Sequence, residues 1–132
     1  MFELHPSLKK KTLLMEMALC SVLLEDDADY PWVILVPRRE SCAKLIDLSI
    51  TDQTQLMHEM NRVQLALWKE FNPTQLNVAA IGNKTAQLHV HIIVRFEGDP
   101  QWPQTVWDKP IKNRYTPEAK EAMIRKITTL FS

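Results

Sequence analysis

Gln87-Leu88-His89-Val90-His91-Ile92-Ile93 alternates polar and apolar side chains through its first five residues. Successive side chains on a β-strand point to opposite faces. Folded as a strand, the stretch puts Gln87, His89 and His91 on one polar face and turns Leu88, Val90 and Ile92 into the core. Neighbours on that face stand roughly 6.5 to 7 Å apart, from a rise of about 3.3 Å per residue. Several groups so spaced can address one phosphate together.

Imidazole suits such a task because its unperturbed pKa of about 6.5 leaves much of it neutral and nucleophilic near pH 7. Attack on phosphorus gives a covalent phosphohistidine-type intermediate that water then cleaves, which splits one hard displacement into two. On these residues alone two rival readings stay open. The pair could simply occupy a half-exposed strand, or His-x-His could supply two ligands to zinc or iron. A metal would want further ligands. The remaining histidines are His5, near the terminus, and His58, off the apolar stripe of a helix, so no metal site is expected.

Outward from the motif, Leu76 to Ile81 reads as a strand joined through the turn-like Gly82-Asn83-Lys84 to a strand over Gln87 to Phe96, an antiparallel pair. Trp32-Val33-Ile34-Leu35-Val36, bounded by Pro31 and Pro37, is a continuous apolar run of the kind found in a central strand buried on both faces. A helix is expected over Thr51 to Phe71, with Thr51 as cap, Asp52 in the first turn, a stripe of Leu56, Met60, Val63, Leu67 and Phe71, and Asn72-Pro73 as its end. Thr116-Pro117 opens a second helix with the stripe Ala119, Met123, Ile127 and Leu130. Leu13 to Leu24 is apolar almost throughout, so periodicity leaves open a buried helix or two strands.

Composition bounds the rest. The 132 residues, 45% hydrophobic, fit a single domain spanning residues 1–132. Sixteen basic side chains balance sixteen acidic ones, so there is no global field to hold nucleic acid or an anionic membrane, and any phosphate must be held locally. No stretch approaches the eighteen apolar residues of a membrane span, and the N-terminus lacks a signal-type apolar region, which predicts a cytoplasmic protein. Cys20 and Cys42 lie in apolar surroundings without C-x-x-C spacing and read as reduced, core-packed thiols. Two glycines are too few for a glycine-rich phosphate loop. Lys9-Lys10-Lys11 reads as a solvated charge run, and Lys84 as exposed.

The seven-residue stretch resembles the signature of the histidine triad (HIT) family, His-φ-His-φ-His-φ-φ with φ apolar, and departs from it only at Gln87. The likeness runs over roughly residues 20 to 107: a strand ending in Pro37 and a basic residue, a long helix, then Leu76-Asn77-Val78 leading through Gly82-Asn83 into the motif. It is similar in particular to a bacterial branch whose motif begins with glutamine and is followed by a tail like Trp102-Pro103 and Val106-Trp107. The resemblance implies an α+β fold with a mainly antiparallel five-stranded sheet, one long helix and a C-terminal helix, commonly paired into a homodimer. It also implies strands for Leu13 to Leu24.

By the same resemblance His89 is the nucleophile and His91 contacts phosphate oxygens, with Gln87 beside them. Asn83 and Asn77 match amides that contact phosphate, Asp26 the acid that binds ribose, and Trp107 a residue that can cover the base. Plain turn roles for the two asparagines, and core or dimer roles for Trp102 and Trp107, are the competing readings. Relatives usually carry a Gly-His pair where this chain has Pro31-Trp32, and Gln87 cannot become cationic as a histidine could. Nucleophilic attack survives these losses, whereas protonation of the leaving group has no obvious donor. The implied activity is a hydrolase or nucleotidyl transferase, such as a phosphoramidase, acting on the α-phosphate of a small nucleotide without a cofactor. The alternative is a nucleotide-binding module with little or no catalysis.

Overall fold

The computed structural model describes residues 1–132. In chain order it holds α1 (Pro6–Lys9), β1 (Thr12–Glu16), β2 (Cys20–Leu24), β3 (Trp32–Pro37), α2 (Ile50–Phe71), β4 (Gln75–Ala79), β5 (Val90–Arg95) and α3 (Pro117–Thr129). The strands form one five-stranded sheet in the order β1-β2-β3-β5-β4, every adjacent pair antiparallel. This is an α+β fold of the expected kind. The proline-bounded run is β3, buried along its whole length at the centre of the sheet.

Leu13 to Leu24 resolves into the β1–β2 hairpin. Its turn is held from outside: the Glu59 carboxylate of α2 accepts the backbone N–H groups of Leu19 at 2.8 Å and Cys20 at 2.9 Å. Burial alone would raise that carboxyl, but these bonds and one from Gln55 outweigh it and hold its pKa below the usual value. An amphipathic window cannot show such a partner, because a glutamate on a helix normally faces water.

One face of the sheet packs on α2, whose Leu56, Val63 and Leu67 are buried against Leu88, Val90, Ile92 and Val94. Full burial of a leucine such as Leu67 stabilises by about 1.5 to 3 kcal/mol. The helix begins one residue earlier than expected, and its cap is Ser49, whose hydroxyl accepts from the Asp52 N–H at 3.1 Å, rather than Thr51. At the other end Asn72 takes the left-handed conformation, φ 45°, and stops the helix before Pro73. In α3 the cap is Thr116 as expected, but Ala119 is exposed, and the packed residues are Met123, Ile124 and Ile127.

The opposite face carries Leu23, Trp32, Ile34, Val36 and Ile93. It is covered by the N-terminal segment, with Phe2, Leu4 and, from α1, Leu8, and by a tail after β5 bringing Val106. No helix of the structure is long and apolar enough to cross a membrane. Cys20 and Cys42 are free and buried, and burial pushes both thiols up.

Candidate active site

The ladder of β5 starts at Val90, so Gln87, Leu88 and His89 precede the strand instead of extending it as the sequence pattern predicts. Alternation nevertheless persists. Leu88 and Val90 enter the core under α2, while His89 and His91 lie on the opposite face. That face is not open: His89 is 6% and His91 7% exposed, because the N-terminal segment and the tail close over it. The two rings lean together, with centroids 5.0 Å apart and planes at 73°.

His89 Nδ1 lies 2.7 Å from the Gln87 carbonyl oxygen. A carbonyl can only accept, so Nδ1 carries a proton, and in the neutral ring the lone pair belongs to Nε2. His89 lines a cavity of about 400 Å³ with Asn83, Gln87, Ala43 and Lys44. His91 lines a second, of about 690 Å³, with Asp26, Trp32, Trp107, Glu25 and Lys11. The adjacent rings therefore stand between the two cavities.

Trp32, on β3, pairs across the ladder with Ile93 and so lies diagonal to His91 on the same face. Its indole N–H donates to His91 Nδ1 at 2.9 Å. Burial, followed by the neighbouring His89, pushes the His91 pKa down to about 3. With Nδ1 accepting from the indole, the ring is neutral and offers a hydrogen bond rather than a charge.

The other predicted residues divide. Asn83 is exposed at the mouth of the His89 cavity. Asp26 lines the His91 cavity, with Oδ1 accepting the Tyr115 N–H at 3.0 Å and Arg114 3.6 Å from Oδ2. Trp107, 39% exposed, stands edge-on to His91 at 5.2 Å and to Trp32 at 5.8 Å. Gln87 turns away from the expected shared face: its Oε1 accepts the His5 N–H and its Nε2 donates to the Glu3 carbonyl, both at 2.8 Å. With both ends of its amide engaged, Gln87 anchors the N-terminal segment. Asn77, on β4, also lies apart, its Oδ1 accepting from Arg95 at 2.9 Å.

Arg95, which sequence reasoning passed over, organises the tail. Asp99 accepts its Nε at 2.7 Å and its Nη2 at 3.0 Å, and also takes the backbone N–H groups of Phe96, Gln101 and Trp102. The guanidinium sits over the rings of Tyr30 and Trp102. This knot reverses the chain after β5, so that Val106 packs on the sheet and Trp107 reaches His91. Lys11 is likewise not free: it pairs with the buried Glu25 at the cavity wall. No group of three or more His, Cys, Asp and Glu side chains is arranged to hold a metal ion.

A model of the HIT domain matches residues 7–98, most of the chain and all of its motif. The chain belongs to the HIT family. The HIT chain is 40% identical to a histidine triad protein from Marinobacter aquaeolei VT8, covering 98% of this chain and 96% of that one with a TM-score of 0.94. To one from Bradyrhizobium japonicum it is 39% identical, covering 99% and 98%, also at 0.94. To one from Sinorhizobium meliloti 1021 it is 34% identical, covering 97% and 96%, at 0.92. No protein of curated function matches it.

Proposed function

We propose that this HIT protein is a nucleotide hydrolase or nucleotidyl transferase that attacks the α-phosphate of a nucleoside phosphoramidate, ester or polyphosphate with His89 Nε2. The observation that carries it is the 2.7 Å bond from His89 Nδ1 to the Gln87 carbonyl, which in the neutral ring puts the lone pair on Nε2, at a residue that lines a cavity. In the first step the Nε2–P bond forms as the bond from phosphorus to the leaving group breaks. That group departs with the electron pair and takes its proton from solvent. In the second, water attacks phosphorus, the P–N electron pair returns to Nε2, and the proton of the water goes to solvent.

His91 gives a neutral hydrogen bond to a phosphoryl oxygen, and Asn83 adds a second donor from the cavity mouth. Asp26 faces the ribose and the half-exposed Trp107 ring the base. Gln87 and Asn77 act at one remove, Gln87 by fixing the N-terminal wall and Asn77 by holding Arg95. The chemistry needs no cofactor, and the two reduced, buried thiols suit a cytoplasmic setting. The chain also pairs with a second copy: β4 is an edge strand, and Val78 on it, with Met57 and Leu45 nearby, leaves an apolar face exposed.

One feature favours a binding module instead. Neither Gln87 nor neutral His91 can protonate a leaving group. The test is hydrolysis of a panel of nucleoside phosphoramidates, dinucleoside polyphosphates and sulfated nucleotides by the wild type and by His89→Ala. Turnover that the variant loses by at least about a thousandfold, with its thermal unfolding unchanged within a few degrees, supports the enzyme. Equal turnover by both sinks the assignment to His89, and tight binding without product by the wild type selects the module.

A further inference from the structure

We propose that Trp32 is a positioning residue for phosphate binding: its indole N–H holds His91 in the tautomer that carries the ring proton on Nε2. This rests on the reading of the motif as a phosphate site, but its structural part stands alone. An indole nitrogen can only donate, so a bond of 2.9 Å to His91 Nδ1 requires a lone pair there and places the only proton of a neutral imidazole on Nε2. Both groups are buried, Trp32 to 4% exposure and His91 to 7%, so water does not compete for the bond.

The consequence is a pair of rings with opposite tautomers. His89 is protonated on Nδ1 by virtue of the Gln87 carbonyl and offers an acceptor nitrogen; His91 is protonated on Nε2 by virtue of Trp32 and offers a donor. One can attack phosphorus while the other binds its oxygen. A histidine at position 32 could turn either a donor or an acceptor toward His91 and could itself titrate. Tryptophan can only donate and does not titrate, so the assignment on His91 is fixed by covalent structure. Trp107, edge-on to both rings, packs against the indole and limits its movement.

The direct test is nitrogen-15 NMR of the imidazoles in the wild-type chain at neutral pH, with His91 assigned by comparison with His91→Gln. The expected spectrum shows His91 Nδ1 as an unprotonated, pyridine-type nitrogen coupled across the hydrogen bond to the Trp32 indole, and Nε2 as the protonated one. A proton on Nδ1, or a cationic ring, overturns the proposal whatever the activity of the protein. In Trp32→Phe, and in a variant with the isosteric benzothienyl analogue of tryptophan at position 32, His91 should become a mixture of tautomers. Binding of adenosine monophosphate should weaken by about three- to tenfold, the worth of one neutral hydrogen bond. The benzothienyl variant keeps the shape of the ring, so a wild-type tautomer and wild-type affinity in it would show that packing, not the N–H, sets the state of His91. Failure of His89 to form an adduct would sink the catalytic reading and leave these NMR results untouched.

Discussion

Asp99→Asn should unfold this protein far more readily than a change outside the cavities would suggest. The Asp99 carboxylate is 4% exposed and the Arg95 guanidinium 1%, so the pair is desolvated. Asparagine keeps the size but leaves the Arg95 charge without a counterion, and its NH2 faces groups that also donate. Removing one partner of a buried pair costs about 3 to 5 kcal/mol, against a total stability of about 5 to 15 kcal/mol for an ordinary domain. At roughly 3 to 5 °C per kcal/mol for a chain of this size, the melting temperature should fall by roughly 10 to 20 °C.

The pH dependence gives a second handle. Burial works to raise the Asp99 carboxyl, yet Arg95 and the backbone N–H groups outweigh it and leave its pKa below the ordinary value. A carboxyl depressed in the folded state contributes stability above its unfolded pKa, about 3.9, and loses it as pH falls through the folded value. Scanning calorimetry should therefore show the gap between wild type and Asp99→Asn to be full at pH 7 and to narrow below about pH 4. A loss under about 1 kcal/mol at pH 7, or a gap that widens in acid, would refute the role given to this pair.

Trp107→Ala should leave the fold intact, since the ring is 39% exposed. If the ring stacks on a base, at about 1 to 3 kcal/mol, the variant should bind nucleoside monophosphates about five- to 150-fold more weakly by calorimetric titration; unchanged affinity removes Trp107 from the base site. Light scattering after size exclusion should give twice the chain mass for the wild type, and Val78→Lys with Met57→Glu should give the monomer. A monomeric wild type would refute pairing through the β4 face.

What the sequence disclosed follows from where the information sits. The apolar run between Pro31 and Pro37, the stripe from Leu56 to Phe71 and the alternation at His89 and His91 are local patterns, and each corresponds to an element or a face of the fold. Leu13 to Leu24 carried no period, and only resemblance to the family identified its strands. The hairpin there depends on Glu59, some forty residues away. Gln87 shows the same limit within the site: spacing placed it with the histidines, whereas its amide finds the backbone of residues 3 and 5, more than eighty positions distant. Lys9-Lys10-Lys11 reads as a solvated run, yet Lys11 pairs with Glu25, a partner the run itself does not show. Trp32 was visible as a departure from the family pattern, but its bond to His91 depends on the register between β3 and β5.

The proposed chemistry turns on which atom takes the nucleotidyl group. Rapid acid-free quenching of the wild-type protein with adenosine 5′-phosphoramidate, followed by intact-mass and fragment-ion spectrometry, should find one adenylyl group and place it on His89, with none on His89→Ala. Product released at the same rate with no adduct at any time point, or an adduct carried by His91 or a lysine, would contradict it.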